Sequence, residues 1–286
     1  MPPRKNPARV SPTAHYTGYV WYRHGMSNPA LATRTGRLFH AALRGPELVS
    51  RRLLAGPSLE ALLLRRHRVI DHLLTTAIAS GEVGQVLEIA AGLSPRGLRL
   101  MDRYGTHALR YVEADLPAMA ARKHRTMAEA GLLCEGHTIV ALDALHTSGP
   151  LCLEAIAQAH LDPSVGTAII TEGLLNYFDG PTRLALWSRL AGWLAAQPAG
   201  GVYLADLSLG DETLTHPVTQ VFARLLDRFA SGVYLDLPDV AAAERALRQA
   251  GFTDARLHLP ARFESILDLP PIRGQDVVRI VEARCR

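Results

Sequence analysis

The sequence contains few of the features that mark a secreted, metal-binding or membrane-spanning protein. Its 286 residues include three cysteines, Cys134, Cys152 and Cys285, and none of them forms a metal-binding pair at short spacing. Scattered cysteines of this kind are typical of free thiols in a reducing compartment. No apolar run approaches the roughly 20 residues that cross a bilayer, and the polar, proline-rich start lacks the apolar core of a signal peptide. We therefore expect a cytoplasmic protein with no metal site and no membrane partner.

Lysine is scarce too, and the basic residues are unevenly spread. Only Lys5 and Lys123 are lysines, and residues 1–68 carry 12 basic but two acidic residues, against 19 basic and 25 acidic in the remainder. A basic segment of this kind can bind nucleic acid, a membrane surface or a small anionic substrate. Alternatively, its arginines are only solvated side chains on helix surfaces. Because there is no dense basic run and no recognisable nucleic-acid-binding module, we expect a small-molecule partner and no nucleic acid.

The hydrophobic pattern changes period near residue 85, from helical spacing to short apolar runs. Strands are predicted at residues 85–90, 108–115, 137–143, 166–172 and 201–207. Helices are predicted between them at residues 94–104, 117–130, 150–160 and 181–196. Strands that alternate with helices of about a dozen residues indicate an α/β fold with a doubly wound parallel sheet.

The regions around this core have patterns of their own. Residues 1–12 are predicted to be a flexible tail, and residues 13–80 an N-terminal helical lid that contributes to the substrate site. Residues 81–286 form the predicted core, with a helical insertion at about 208–236 after the fifth strand. Beyond the insertion, the pattern predicts a helix at 238–250, a strand at 255–259 and a last short helix at 277–283.

The loop after the first predicted strand is the first candidate binding site, because ligands of open α/β sheets bind outside the carboxyl ends of the strands. Gly92 and the small Ala90 allow a ligand to approach the backbone closely. With glycine only at Gly92 and Gly97, the loop lacks the G-x-G-x-x-G pattern of dinucleotide sites. S-adenosylmethionine has no phosphate and tolerates such a loop, and Glu88 is then placed for its ammonium group. A plain strand-to-helix turn without a ligand is the alternative.

Acidic residues follow the other predicted strands. Glu113 and Asp115 are two residues apart and point the same way, so both could accept ribose hydroxyls, or they only mark an exposed strand end. Asp143 is placed for an adenine amino group, although aspartate is also common in turns. Glu172 ends an apolar strand, where an unpaired buried charge would be costly, and is therefore a better candidate for a site than for the core. Asp206 faces the cleft or caps the next element.

Several stretches resemble the motifs of the leucine carboxyl methyltransferase family. VLEIAAGLSPRGLRL, RYVEADLPAMAARK and TEGLLNYF occur in the family's order, and HYTGYVWYRHGMSNPALATRTGRL is similar to the front segment of its bacterial branch. That branch resembles the tetracenomycin-pathway O-methyltransferase. The resemblance covers roughly residues 13–200, and beyond residue 207 the chain matches only in pattern.

The resemblance implies a class I, Rossmann-like methyltransferase fold and S-adenosyl-L-methionine as cofactor. It implies that Gly92 lies against the cofactor and that Asp115 binds the ribose. Asp143 and its neighbour Ala144 would meet the adenine, and Glu172 would complete the pocket near the methionine part.

The same resemblance assigns the cofactor carboxylate to an arginine of the front segment, Arg66, with Arg68 as the alternative. The sequence departs from the family pattern at two positions. Ala90 stands where the loop usually has its first glycine, which crowds the ligand, and Ser94 stands where an aspartate is common.

The reaction implied is methylation of an oxygen, on a small-molecule carboxylate or a phenol, in the tailoring of a natural product. The acceptor would be anionic or aromatic, and the enzyme a monomer or a homodimer. Candidates on the acceptor side are Tyr177, His15 and Tyr19, although packing within the lid explains each of them equally well. Three other classes stay open: a cofactor-binding relative that catalyses a non-methylating step, a nicotinamide oxidoreductase and a non-catalytic scaffold.

Overall fold

The structure is a computed structural model that describes residues 12–53, 58–214, 233–272 and 276–285. Its strands are β1 (Gln85–Ile89), β2 (Arg110–Asp115), β3 (His137–Ala141), β4 (Thr167–Thr171), β5 (Gly201–Ser208), β6 (Asp254–His258) and β7 (Val278–Arg284). Its helices are α1 (Pro12–Arg23), α2 (Arg34–Leu53), α3 (Leu59–Ala79), α4 (Arg96–Tyr104), α5 (Pro117–Glu129), α6 (Leu153–His160), α7 (Gly180–Ala195), α8 (Gly210–Leu214) and α9 (Val240–Gln249).

The strands form one sheet in the order β3-β2-β1-β4-β5-β7-β6. The first five are parallel, and β1 pairs with β2 on one side and β4 on the other. Every residue of β1 and β4 is buried, because helices cover both faces of the sheet. Apolar and polar residues therefore do not alternate along these strands. The strand order reverses between β1 and β4, and this switch point is where doubly wound folds bind ligands.

The last strand corrects one prediction from the sequence. Residues 277–283 were expected to form a short helix, and this prediction is wrong because Val278–Arg284 is β7, antiparallel to both β5 and β6. A segment of seven residues is too short for its hydrophobic period to distinguish a strand from a helix, so the pairing with neighbouring strands determines its structure. The doubly wound α/β fold is otherwise confirmed, with a mixed rather than fully parallel sheet. The predicted late strand is confirmed as β6.

Two predicted segments lie largely outside the described residues. The tail expected at residues 1–12 has only Pro12 within them, at the start of α1. Of the helical insertion expected at about 208–236, residues 215–232 lie outside them. Its described parts are α8 and an extended stretch from residue 233, which contacts the turn after β4 where Tyr234 N donates to the carbonyl of Asn176 at 2.7 Å.

The helix α1 crosses the carboxyl ends of the strands. Tyr16, Val20 and Trp21 form an apolar cluster with Leu63 and Leu64 of α3, which anchors α1 to the core. The opposite face of α1 carries small residues where it meets the loop after β1.

Gly18 allows this close approach, because a Cβ atom there would lie 3.0 Å from the Cβ of Leu93. A Cβ atom at Gly92 would likewise lie 3.3 Å from the Cβ of Ala14. The small residues of α1 therefore let it lie directly on this loop.

The crossing of α1 and α2 depends on Gly36, and we expect Gly36→Ala to destabilise the protein. A Cβ atom at this buried position of α2 would collide with the backbone carbonyl oxygen of His15 in α1. We expect a loss of about 1–3 kcal/mol in the free energy of unfolding, measured by urea denaturation.

The matched control is Gly192→Ala in α7, where no atom lies within 4 Å of the added methyl group. This change should instead stabilise the protein by about 0.5–1 kcal/mol, because alanine favours a helix interior over glycine. Equal effects of the two substitutions would show that the α1–α2 crossing tolerates a side chain.

Candidate functional site

The loop after β1 has a strained backbone. Ala90 has φ of 58° and is the one residue other than glycine with positive φ in the ranges that the structure describes. This conformation costs an L-residue roughly 1–2 kcal/mol, and such strain is concentrated at ligand sites. Gly92 follows with φ of 52°, which only glycine adopts readily. The position where the family usually has glycine thus has a glycine-type conformation here.

Asp115 connects the end of β2 to this loop. Its Oδ2 accepts a hydrogen bond from Gly92 N at 2.7 Å, and its Oδ1 accepts one from Leu116 N at 2.7 Å. Burial raises the pKa of Asp115, although these two backbone hydrogen bonds partly offset the effect. A carboxylate has about four acceptor positions, so Asp115 retains capacity for hydroxyl donors of a ligand.

A narrow cleft of about 140 Å³ lies beside Asp115. It is lined by residues of the β1 loop, β2, β3 and α5: Ala91, Gly92, Glu113, Ala114, Asp115, Met119, Ala120, Lys123 and Ile139. Pockets for cofactor-sized ligands are typically about 300–1,000 Å³, whereas the space within this cleft is too narrow for a water molecule, so the cleft must widen to hold a cofactor. Ala14 of α1 packs against Gly92, which is one of the residues that line the cleft.

Asp143 and Ala144 follow β3, next to the end of β2. Leu142 N donates to the carbonyl of Asp115 at 2.8 Å, which brings this turn beside the cleft. Asp143 Oδ1 accepts from Leu145 N at 3.0 Å, and the side chain of Asp143 is 29% exposed. The carbonyl of Ala144 accepts a hydrogen bond from an arginine of α7, so its backbone position is fixed.

Glu113 lines the cleft, but its carboxylate is engaged with the protein. The ammonium group of Lys123 forms an ion pair with it, and His137 Nε2 lies 3.1 Å from its Oε1. Burial opposes ionisation of Glu113, yet Lys123 and His137 outweigh it and lower the pKa. Lys123 also donates to the carbonyl of Ser94 at 2.6 Å. Glu113 therefore supports the loop through Lys123, and Asp115 alone of the pair accepts from the loop backbone directly.

A buried ionic cluster lies beneath the loop at the switch point, with Arg96 at its centre. The side chain of Arg96 is completely buried, and its Nε donates to Asp71 Oδ1 at 2.6 Å. Its two terminal nitrogens donate to Glu88 Oε1 and, at 2.5 Å, to Glu172 Oε2. The hydroxyl of Tyr111 donates to the other oxygen of Glu88 at 2.7 Å. Both oxygens of Glu88 are therefore occupied by protein groups.

Arg66 joins the cluster from α3. Its Nε donates to Glu172 Oε1 at 3.1 Å, and its Nη1 donates to Asp206 Oδ2 at 2.9 Å. Gly173 makes room for it, because a Cβ atom there would lie 3.0 Å from Arg66 Nη2. The alternative, Arg68, points away from the cluster and donates to the carbonyl of Asp268.

The cluster has one more carboxylate than guanidinium groups, and the Nδ1 atom of His67 lies 2.8 Å from Glu172 Oε2. It contains four carboxylates and three guanidinium groups: Asp71, Glu88, Glu172, Asp206, Arg66, Arg96 and Arg99. Burial opposes ionisation of Glu172, but His67, Arg96 and Arg66 outweigh it and hold its pKa well below the ordinary value. Burial raises the pKa of Asp206, which Arg66 partly offsets.

The three acceptor-side candidates are not brought to one point. The hydroxyl of Tyr177 lies 3.5 Å from Thr13 Oγ1, where α1 meets the turn after β4. His15 is buried with its Nδ1 2.9 Å from Thr33 Oγ1, and burial, with a smaller effect of Arg122, lowers its pKa. The ring of Tyr19 lies 5.3 Å from that of a histidine in α2, on the side of α1 that faces α2.

The front arginines that could attract an anion are paired or exposed. Arg23 donates to Glu60 at 2.8 Å, and the side chains of Arg34 and Arg37 are exposed on α2. The amide of Asn176, in the turn after β4, bonds to backbone atoms of Ser208 and Tyr234, so it joins this turn to neighbouring segments.

Sequence reasoning missed the residues that organise the charged cluster. The sequence pattern indicates no role for Arg96 within the loop motif, nor for His67 and Asp71 in a predicted helix. The four-residue spacing of His67 and Asp71 places both on one face of α3, which is a signal that could have been used.

Other parts of the structure offer weaker candidates. A depression at the amino ends of the strands is lined by the end of α3, the end of α4 and the segments that precede β1, β2 and β4, without an acidic or basic side chain. Among the described residues, no three His, Cys, Asp or Glu side chains are grouped to hold a metal ion. No helix in the described ranges is long and apolar enough to cross a membrane. The charged carboxyl end of the sheet is therefore the candidate site.

Comparison with solved structures identifies the fold. A DUF574 family protein from Streptomyces avermitilis is 16% identical, with a TM-score of 0.59 over 98% of this chain and 100% of that one. An inferred methyltransferase from Thermobifida fusca is 14% identical, with a TM-score of 0.60 over 98% of this chain and 96% of that one. Together with the strand order, these similarities define a class I methyltransferase fold.

The chain belongs to the leucine carboxyl methyltransferase family, whose model matches residues 30–191. Inferred S-adenosyl-L-methionine-dependent methyltransferases are among its relatives. The one from Rhodococcus jostii is 30% identical over 56% of this chain and 64% of its own length. The one from Mycobacterium tuberculosis H37Rv is 32% identical over 43% of this chain and 38% of its own length. The chain thus spans about four-tenths to two-thirds of the length of the curated relatives it matches.

Proposed function

We propose that this protein is an S-adenosyl-L-methionine-dependent methyltransferase. The observation that carries the proposal is the junction of Asp115 with Gly92, at the carboxyl ends of β1 and β2 in a class I methyltransferase fold. S-adenosyl-L-methionine, when bound, supplies an activated methyl group on a sulfonium, which a nucleophile takes by in-line displacement. The protein's task is to align the two reactants and exclude water.

The charges at the site suit this cofactor. Its sulfonium, ammonium and carboxylate groups sum to one positive charge, and the cluster offers one more carboxylate than guanidinium groups. Asp115 retains acceptor positions for ribose hydroxyls, and the bend at Ala90 and Gly92 leaves no large side chain against the ligand. The donor set therefore fits the cofactor.

We assign the cofactor-binding residues in three groups. Gly92, Ala90 and Asp115 would hold the ribose side, and Asp143 with Ala144 the adenine. Glu172, Glu88 and Arg66 would hold the methionine part. The carboxylates of Glu88 and Glu113 are already bonded to Arg96 and Lys123, so these two acids would support the site by holding those groups in place.

The helix α1 would act as the lid of this site. The cleft is smaller than the cofactor, and Ala14 packs on the loop that the cofactor would approach. Binding thus requires α1 to move off Gly92, and its return would exclude water from the reaction.

For the acceptor, we propose an oxygen of a small-molecule carboxylate or phenol, in the manner of the bacterial branch of the family and within natural-product tailoring. A carboxylate is already ionised at neutral pH and needs no base, whereas a phenol benefits from one. His15 suits that role because burial lowers its pKa and keeps the imidazole neutral. The other candidates for the acceptor side are Tyr19, which belongs to α1, and Tyr177, which contacts α1.

Two measurements test the proposal. Isothermal titration with S-adenosylhomocysteine should give binding with a Kd in about the micromolar range, which corresponds to roughly 8 kcal/mol. Incubation with methyl-labelled S-adenosylmethionine and a panel of aromatic carboxylic acids and phenols should then label at least one acceptor. Absence of binding at millimolar ligand would refute the cofactor assignment. Binding without transfer to any acceptor oxygen would favour a non-methylating relative.

A further inference from the structure

We propose that Arg96 is a positioning residue of the cofactor site, which holds the carboxylates of Glu88 and Glu172 together at the switch point. This proposal rests on the proposed function, because Glu172 and Glu88 are the acids assigned to the methionine part of the cofactor. Arg96 is the first residue of α4 and follows directly on the loop that approaches the ligand.

The geometry favours a bridging role. Glu88 belongs to β1 and Glu172 follows β4, and these strands are neighbours in the sheet. Two carboxylates that meet at adjacent strand ends repel each other unless a cation lies between them. The planar guanidinium of Arg96 donates to both, and its third donor direction is fixed by Asp71 at 2.6 Å. Lysine could not reproduce this forked arrangement, because its ammonium is a point charge.

Arg96 acts on the ligand through its partners and does not reach it. Its side chain has no exposed surface, whereas the side chains of Glu172 and Arg66 are 5% and 15% exposed. Arg66 and Arg96 both donate to the carboxylate of Glu172. Arg96 holds this acid from the buried side, and Arg66 lies nearer the surface. Loss of Arg96 would release Glu172 from one of its two guanidinium partners.

A buried arginine with a purely structural role would pair with segments away from the switch point. Arg65 and Arg183 are also buried, and they connect α3 and α7 to segments outside the switch point. Arg96 connects the switch-point acids Glu88 and Glu172 to each other and to α3. Its removal should therefore weaken ligand binding as well as destabilise the fold, and the binding measurement separates this role from a purely structural one.

The titration of Glu172 gives a readout that a purely structural role would not move. Groups that face it come from four elements: Arg66, His67 and Asp71 from α3, Arg96 from α4, Glu88 from β1 and Asp206 from β5. With Arg96 present, the pKa of Glu172 is far below neutral, so its charge is constant between about pH 6 and pH 8. Without Arg96, only His67 and Arg66 would oppose the effect of burial, so the pKa of Glu172 would rise and the acid would take up a proton at a higher pH than in the wild type.

The test compares three variants of the full chain: Arg96→Gln, Arg96→Lys and Arg103→Gln. Arg103 lies on the exposed side of α4 and stacks on Tyr104, which makes it a matched control. Titration with S-adenosylhomocysteine should show about tenfold or greater weakening for Arg96→Gln at about pH 8, and further weakening at about pH 6. Arg96→Lys should recover part of the affinity and the flat pH profile, and Arg103→Gln should match the wild type.

Wild-type affinity for Arg96→Gln, with the same pH profile as the parent, would overturn the proposal. If Arg96→Gln does not fold, Arg96→Lys decides, and an affinity within about twofold of wild type would overturn it. Failure of the wild-type protein to bind S-adenosylhomocysteine would instead remove the proposed function, so the two failures are distinguishable.

Discussion

Replacing Asp115 by asparagine is expected to abolish binding of S-adenosylhomocysteine, with at least a hundredfold loss of affinity. The amide would turn a donor toward either Gly92 N or Leu116 N, both of which now donate to the carboxylate. Hydrogen bonds to a charged group contribute about 1.5–3 kcal/mol each, so loss of one loop contact and one proposed ribose contact gives about this factor. Isothermal titration measures the loss directly.

The same variant should keep its thermal stability. Burial raises the pKa of Asp115, so the folded state disfavours its charge, and removal of that charge offsets the lost hydrogen bond. Asp102→Asn on the exposed face of α4 is the matched control and should change neither binding nor melting temperature. Binding by Asp115→Asn within about threefold of wild type would show that this acid does not hold the ligand.

The largest effect on stability is expected at Arg65, where Arg65→Met should lower the free energy of unfolding by about 3–5 kcal/mol. The guanidinium is completely buried and donates to Asp276 at 2.9 Å, to the carbonyl of Pro270 at 3.0 Å and to Glu264 at 2.6 Å. Methionine fills the volume but leaves Asp276 buried without its cation. Urea denaturation monitored by circular dichroism gives the value.

Arg68→Met, one turn along α3, provides the comparison. Its partner Asp268 is fully exposed, and surface ion pairs contribute about 0–1 kcal/mol. The double variant Arg65→Met with Asp276→Asn should recover part of the loss, since it removes the uncompensated charge. A loss below about 1 kcal/mol for Arg65→Met would mean that segment 264–276 contributes little to the fold.

The sequence predicted the parts of the fold that have strong local signals. The five parallel strands are apolar runs between turn signals, and the rule for strand ends led directly to Gly92 and Asp115. The strand β7 was missed because Val278–Arg284 reads equally well as a helix, and only pairing with β5 and β6 distinguishes the two.

The site was harder to predict because its pairings are tertiary. Glu113 was expected to face the ligand, but Lys123 and His137, 10 and 24 residues away, take its carboxylate. Nothing local in the sequence tells whether Arg96 points outward from a turn or inward to two strand ends. The alternation of residues along a strand predicts the face of the sheet to which a side chain points. The residue that pairs with it depends on which side chains neighbouring helices and strands place on that face.

The contact between Ala14 and Gly92 has a kinetic and thermodynamic consequence. In the proposed lid movement, the cofactor takes the space that Ala14 occupies beside the loop, so only the fraction of molecules with α1 displaced is competent to bind. The observed dissociation constant then equals the intrinsic one divided by that fraction. Substitutions that loosen α1 would thus tighten apparent binding and speed association, even as they weaken the exclusion of water during catalysis. The two glycines of this contact region, Gly18 and Gly92, would set the balance between affinity and turnover without touching the reacting atoms.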